Sequence, residues 1–143
     1  MARYRIDFGA GNKKPVYVSG VRSPFVKSFG AFADCDALEL FSRITQEIIR
    51  KSAFDPNLID EILCGVVVPQ TKNTNVARDT IINCKLPLSI HGVTLNRACA
   101  SSLQTVADAS RSIVAGQARL ILAGGVEVLS DVPIVYSKNA RKI

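Results

Sequence analysis

Short β-prone runs alternate with helical patterns along this chain, and the alternation restricts the fold that it can adopt. The predicted strands cover residues 15–20, 62–68, 90–97 and 119–123, and the predicted helices cover residues 36–51, 75–83 and 99–116. A helical crossover joins strands that run parallel, with a right-handed connection. The sequence therefore predicts an α/β domain with a mostly parallel sheet and helices on both faces.

Local signals support these elements. Asp36 can cap the first helix, and Glu39 follows at capping-box spacing. Residues 62–68 are an almost continuous apolar run, which favours a strand covered on both faces. Gly116 is a typical stop for the third helix. Three- and four-residue steps place small and apolar residues on one face of that helix, namely Leu103, Val106, Ala107, Ser110, Ile113 and Val114.

Cys99 is the residue with the most distinctive chemical setting. The pattern places it between the third strand and the third helix, within the first helical turn. Free amide N–H groups and the helix dipole favour an anion there, and a thiolate is a better nucleophile than a thiol. Because sites in parallel sheets lie beyond the carboxyl ends of the strands, we expect Cys99 to meet residues 20–22, 69–70 and 124–127. A free cysteine is also often a small buried hydrophobe, so both interpretations stay open on these residues alone.

The composition narrows the classes of function. With 143 residues, 48% hydrophobic and 21% charged, the chain can build the core of one domain. We expect no membrane association, because no apolar run approaches the ~20 residues that span a bilayer. The net charge is +6, but Lys and Arg are scattered, so we predict no nucleic-acid partner. Cys35, Cys64, Cys84 and Cys99 form no Cys-x-x-Cys pair, and we predict neither a metal site nor a disulfide framework.

The amino-terminal residues have a different character from the rest. Residues 1–14 hold Arg3, Arg5, Lys13 and Lys14 against the single acidic Asp7. We interpret them as a basic tail, because a transit peptide should be longer and richer in Ser and Arg.

Four stretches, in order along the chain, resemble the motifs of thiolases. Residues 96–102 (Asn-Arg-Ala-Cys-Ala-Ser-Ser) are similar to the nucleophile motif, and residues 18–25 are similar to the opening strand and Arg-Thr-Pro loop. Residues 75–78 resemble the Asn-Val-Ala-Arg of the second helix. Residues 123–133 resemble the Gly-Gly-x-Glu-x-Met-Ser segment. Ser23 stands where Thr is usual, and Leu129 where Met is usual. The Ser-Asp-Val-Pro ending looks most like the β subunit of the mitochondrial trifunctional enzyme and its bacterial relatives.

The resemblance implies an incomplete three-layer thiolase N-terminal domain over residues 15–143, without the loop domain and the C-terminal half. It implies the chemistry of a 3-ketoacyl-CoA thiolase (acetyl-CoA C-acyltransferase) of fatty acid β-oxidation, which cleaves 3-ketoacyl-CoA with CoA to acetyl-CoA and a shortened acyl-CoA. Cys99 would carry the acyl group as a thioester, and its backbone N–H would donate to the oxyanion. Coenzyme A is then a substrate, and no cofactor is implied.

The resemblance also implies partners and a place of action. We expect a homodimer or higher oligomer, a possible hydratase/dehydrogenase subunit of the α type, and the mitochondrial matrix or the bacterial cytoplasm. The family's acid/base His and second Cys belong to the second half of its fold, so we expect this chain alone to be inactive. His91 does not match the family's His motif, and it lies some 25 Å from Cys99 if both are in one extended strand.

Two other functions remain open at this point. One is a non-catalytic thiolase-like module that acts only through protein contacts, as the missing acid/base residues suggest. The other is a related condensing enzyme such as a ketoacyl synthase, although the Gly-Gly-Val-Glu and Arg-Ser-Pro stretches fit thiolases better. Because the second face of the cysteine helix has no partner in the sequence, we expect Val106, Ala109 and Ile113 to be partly uncovered.

Overall fold

The computed structural model describes residues 14–136, and the alternation of strands and helices is present in it. The strands are β1 (Glu61–Gly65), β2 (His91–Leu95) and β3 (Ile121–Gly125). The helices are α1 (Ala37–Ser52), α2 (Val76–Asn83) and α3 (Ser101–Val114), and a short 3₁₀ turn covers Pro56–Leu58. Gly116 has a positive φ of 73° just beyond the end of α3, as expected for a helix stop.

The three strands form one parallel sheet in the order β2-β1-β3, which confirms the predicted strand direction. Gly65 at the end of β1 is level with Leu95 of β2 and with Gly125 of β3, so the three strands end together. The central strand β1 is buried on both faces through Ile62 and Leu63, as its apolar run predicted.

Helices cover both faces of the sheet, which confirms the three-layer arrangement. A Cβ built on Gly92 would meet the backbone of α2, and one on Gly124 would come within 4.0 Å of Phe41 in α1. A Cβ built on Gly65, which points to the opposite face, would come within 2.5 Å of the backbone of Ser101 in α3. Helices α1 and α2 therefore share one face, and α3 is the helix that packs on the other among residues 14–136.

The start of α1 follows from its sequence. The Asp36 carboxylate accepts a hydrogen bond of 2.7 Å from the Glu39 N–H, which confirms Asp36 as the cap. The helix ends where Ala53 adopts the left-handed conformation and its N–H donates to the Ile49 carbonyl. The helix buries Phe41 against the sheet.

The apolar core lies on the α1 and α2 side of the sheet. It includes Ile62 from β1, Ile81 from α2 and Phe41 from α1. The side of α3 that is buried is short and partly polar, consisting of Ser101, Thr105 and Ala109. The two faces of the sheet are therefore held differently, by aliphatic packing on one side and by close backbone approach on the other.

The predicted strand over residues 15–20 is wrong. This segment pairs with no strand among residues 14–136, and Val16, Tyr17 and Val18 are exposed. A strand is stable only where a neighbour satisfies its N–H and C=O groups, and the described sheet offers this segment none. Its β-prone side chains alone could not show that.

The apolar face of α3 is not the face that packs on the sheet. Leu103 is 73% exposed and Val106 is 51% exposed, whereas Thr105 and Ala109 are buried. The cause is steric, because α3 approaches the bare backbone of the sheet so closely that small residues must face it. The expectation that Val106 and Ile113 would be partly uncovered is confirmed, but for Ala109 it is wrong.

Some predictions fall outside the described residues. The basic tail over residues 1–14 does so except for Lys14, as does the basic run over residues 137–142. Among the helices that the structure describes, none has the length and apolar character needed to cross a bilayer.

Candidate active site

A cleft of about 180 Å³ opens at the carboxyl edge of the sheet. Its walls are Gly65, Val67, Cys99, Ser101, Ser102, Gly125, Val126 and Glu127. The parallel topology thus brings Cys99 together with the segment that follows β3, as the sequence predicted. The sulfur belongs to an exposed residue, so the cleft leaves it accessible.

The other segments expected at this edge are placed differently. Pro69 and Gln70 line a separate cavity of about 200 Å³ beside the end of β2. Residues 20–22 line neither space, so that prediction is wrong. The Gly20 carbonyl instead accepts a hydrogen bond of 3.0 Å from Lys51 in the last turn of α1. Without a strand at residues 15–20, nothing carries this loop to the carboxyl edge.

Cys99 itself lies just before α3 rather than within its first turn, which corrects the predicted helix start. The helix begins at Ser101, with Ala100 as its cap residue. The Cys99 N–H has no hydrogen-bond acceptor among the described residues. It is therefore free to donate to an oxygen atom that enters the cleft, at the amino end of a 14-residue helix.

The turn that holds Cys99 has an unusual backbone. Ala98 has a φ of 45°, in the left-handed region that non-glycine residues disfavour. Two side chains hold it there. The Asn96 side-chain oxygen accepts from the Ala98 N–H at 2.8 Å, and the Ser101 hydroxyl donates to the Ala98 carbonyl at 2.6 Å. The same hydroxyl accepts from the Arg97 N–H at 2.8 Å.

Sequence reasoning did not assign roles to Asn96 and Ser101. A signal was present, because Asn readily bonds the backbone N–H two residues later and tolerates tight turns. The signal was ambiguous, since the strand was predicted to continue through Arg97, whereas β2 ends at Leu95.

Glu127 lies in the same cleft and binds backbone rather than another side chain. Its carboxylate accepts from the Val67 N–H at 2.8 Å and from the Val68 N–H at 3.3 Å. The Val67 carbonyl in turn accepts from the Asn96 amide at 2.7 Å. The segments that follow β1, β2 and β3 are therefore connected by polar contacts around the cleft.

Close approach of α3 to the sheet depends on two glycines. A Cβ on Gly65 would lie 2.5 Å from the Ser101 carbonyl carbon, and one on Gly125 would lie 3.0 Å from the Ser102 Cβ. Both distances are below an ordinary carbon contact of about 3.5–4.0 Å. Glycine at these positions therefore sets the depth of the cleft floor.

The remaining cysteines have a different chemistry. Burial raises the pKa of the Cys64 thiol to about 12, and the charge of Glu127 adds to the effect. Burial also raises the pKa of the Cys84 thiol, whose sulfur lies 3.5 Å from the Ser42 carbonyl. Cys64 is buried in the core, and Cys84 is half-buried. Cys35 is half-buried just before α1.

His91 is exposed and begins β2, so it lies at the amino edge of the sheet. The prediction that it lies far from Cys99 agrees with this position. Across residues 14–136, no three His, Cys, Asp or Glu side chains come close enough together to hold a metal ion.

Known proteins share both the sequence and the fold. A probable 3-ketoacyl-CoA thiolase from Caenorhabditis elegans is 38% identical over 127 residues, which are 89% of this chain and 28% of that protein. A 3-ketoacyl-CoA thiolase from Aeromonas salmonicida is 35% identical over 125 residues, 87% of this chain and 29% of that protein. The crystal structure of the Bacillus anthracis acetyl-CoA acetyltransferase superposes with a TM-score of 0.85 at 27% identity, covering 91% of this chain and 33% of that chain.

The fold and the cleft define an α/β domain that presents an accessible cysteine where a parallel sheet meets the amino end of a helix. In addition, residues 16–143 match the family described as thiolase, N-terminal domain. The chain therefore belongs to the thiolase family. It spans less than a third of the length of the two curated relatives.

Proposed function

We propose that the whole protein is a 3-ketoacyl-CoA thiolase of fatty acid β-oxidation and that this chain supplies its nucleophile, Cys99. The observation that carries the proposal is the exposed Cys99 in a cleft beside the start of α3, with an N–H that no group in the described part of the chain accepts. The names of the two curated relatives support the same reaction.

The proposed reaction uses Cys99 twice. Its thiolate attacks the 3-keto carbon, and the oxygen of the tetrahedral centre takes a negative charge that the Cys99 N–H can stabilise by about 3 kcal/mol. The bond between the second and third carbons then breaks, the acyl group stays on sulfur as a thioester, and the two-carbon fragment leaves as acetyl-CoA after protonation. The thiol of a second coenzyme A loses a proton, attacks the thioester and releases the shortened acyl-CoA together with the Cys99 thiolate.

Proton transfer in this scheme needs groups from outside the described cleft. Glu127 is the one carboxylate among the residues that line it, and both of its oxygens already accept backbone N–H groups. We infer that the acid and base come from the second half of the thiolase fold, so that this chain alone does not turn over. Coenzyme A enters as a substrate, and no separate cofactor is needed.

The assembly and the compartment belong to the same proposal. We propose a homodimer or higher oligomer and association with a hydratase/dehydrogenase subunit of the α type. The compartment follows the organism, as the mitochondrial matrix in a eukaryote and the cytoplasm in a bacterium. A worm and a bacterium both provide relatives of this chain.

One observation favours a second function, a non-catalytic thiolase-like module that acts through protein contacts. Leu103 and Val106 expose aliphatic surface on α3. Such surface is typical of a protein interface whether or not the neighbouring cysteine reacts.

Alkylation by iodoacetamide at neutral pH distinguishes the two functions. Each cysteine is followed by mass spectrometry in the folded chain and in the same chain unfolded in urea, where all thiols are equally accessible. The thiolase proposal predicts that Cys99 reacts faster folded than unfolded, whereas Cys64 and Cys84 react more slowly. A Cys99 that is no faster in the folded chain would favour the non-catalytic module. Thiolysis of a 3-ketoacyl-CoA after addition of the second half of a relative, with Cys99→Ser beside Cys84→Ser as the control, tests the full reaction.

A further inference from the structure

We propose that Glu127 is a positioning residue for Cys99, acting through the backbone of Val67 and the side chain of Asn96. The inference rests on the proposed function, because it explains how the nucleophile is held. Glu127 is near the cysteine in the cleft but has no hydrogen bond to its turn, so its effect must be transmitted.

The first link fixes the segment that follows β1. The carboxylate accepts from two consecutive amides, at 2.8 Å from Val67 and 3.3 Å from Val68. Hydrogen bonds to a charged acceptor are stronger than those between neutral groups. Since β1 ends at Gly65, no neighbouring described strand binds the N–H groups of these two residues. The Glu127 carboxylate binds them instead.

The second link transfers this position to the cysteine turn. The fixed Val67 carbonyl accepts from the Asn96 amide at 2.7 Å, which orients that side chain. The oxygen of the same amide group then accepts from the Ala98 N–H at 2.8 Å. One planar amide group thus joins the segment after β1 to the residue immediately before Cys99.

The turn needs this support because Ala98 has a φ of 45°. A non-glycine residue leaves that region unless its surroundings hold it there. The direction of the Cys99 N–H depends on the peptide that Ala98 begins. A carboxylate that holds Asn96 in place through Val67 therefore sets where an oxyanion could bind.

The carboxylate is not placed to act as a general base. Both of its oxygens are engaged with backbone N–H groups, so taking a proton would weaken the bonds that hold the segment after β1. The chemistry therefore assigns Glu127 to geometry rather than to proton transfer.

Amide hydrogen exchange in the 143-residue chain tests the link directly. Glu127→Gln should speed exchange at Val67, Val68 and also at Ala98, each by roughly fivefold, as expected for losing about one hydrogen bond. Asn96→Ala should speed exchange at Ala98 and leave Val68 unchanged, because it breaks only the second link. Glu47→Gln, which removes an exposed carboxylate from α1, is the matched control and should change none of them.

Alkylation of Cys99 then tests the consequence. Glu127→Gln should slow it roughly fivefold, and the same substitution should have no further effect in the Asn96→Ala background, because both act along one path. A general loss of stability would instead speed alkylation of Cys64 in both variants.

The outcomes separate the inference from the proposed function. Unchanged exchange at Ala98 in Glu127→Gln, or additive effects of the two substitutions on Cys99, would overturn the positioning role. A wild-type Cys99 that reacts no faster in the folded than in the unfolded chain would overturn the nucleophile instead, and the exchange pattern would still decide whether Glu127 holds the turn. Asn96→Ala decides the second link even if Glu127→Gln fails to fold.

Discussion

Replacing Gly65 with alanine should separate α3 from the sheet and widen the cleft. The new Cβ would lie 2.5 Å from the Ser101 carbonyl carbon, 2.6 Å from the Ser102 nitrogen and 2.8 Å from the Ser101 oxygen. All three are backbone atoms of one helix end, so no side-chain rotation can relieve the contact. To restore an ordinary separation of about 3.5 Å, the helix must move by roughly 1 Å.

The cost of that shift can be estimated. Overpacking of this kind lowers the free energy of unfolding by about 1–3 kcal/mol. Alanine also restricts the unfolded chain, which offsets about 0.4–1 kcal/mol wherever glycine is replaced. Gly124→Ala has the same unfolded-state effect, but its Cβ would meet only Phe41, at 4.0 Å. The difference between the two variants therefore isolates the clash, and it should amount to about 1–3 kcal/mol.

Urea unfolding followed by circular dichroism measures this difference, and alkylation of Cys99 reports the effect on the site. We expect Gly65→Ala to be the less stable variant and to react more slowly at Cys99, while Gly124→Ala resembles the wild type. Equal free energies of unfolding, within about 0.5 kcal/mol, would refute the idea that bare backbone at Gly65 sets the position of α3.

Three further substitutions test other contacts. Burial raises the pKa of Cys64 from 9.0 to about 12, so the unfolded chain loses this proton first. The free energy of unfolding should then fall by about 1.4 kcal/mol per pH unit between pH 9.0 and about 12. In urea titrations of Cys64→Ala, this contribution of the Cys64 thiol to the pH dependence should be absent. The backbone N–H groups of Arg119 and Leu120 lower the pKa of Asp60, so its stabilisation is present above pH 3.8 and is lost as the pH falls through the lower, folded value. Asp60→Asn should accordingly be less stable at pH 7, and thermal unfolding at decreasing pH should show the gap closing. Ser101→Ala leaves a backbone N–H in the cysteine turn without its acceptor and should cost about 1–3 kcal/mol in urea unfolding, with slower alkylation of the neighbouring thiol.

Much of the fold could be predicted because its signals are local. The cap at Asp36 and the stop at Gly116 depend only on side chains close to the helix ends, and both are where the sequence placed them. The continuous apolar run that contains Ile62 predicted a strand covered on both faces, and β1 is such a strand. The parallel topology also predicted that Cys99 lies beside the segment after β3, and this prediction needed no information on side-chain contacts.

The wrong predictions depend on contacts that are distant in sequence. Whether residues 15–20 form a strand depends on a hydrogen-bonded neighbour, which their own side chains do not specify. The expectation that Ala109 would be uncovered is wrong because Gly65 and Gly125 bring the sheet backbone against the small and hydroxyl-bearing side of α3. The link from Glu127 to Asn96 passes through a backbone carbonyl, and no side-chain pattern identifies a backbone group as an intermediate.

The orientation of α3 also affects how the chain behaves in concentrated solution. Its hydroxyl-bearing side faces the sheet, while Leu103 and Val106 present aliphatic carbon to water. Ammonium sulfate strengthens the attraction between such surfaces, so the wild-type chain should precipitate at a lower salt concentration than a Leu103→Gln variant. A mild non-ionic detergent should keep it dispersed by covering the same side chains, which makes α3 the first place to modify when the chain is prepared at high concentration.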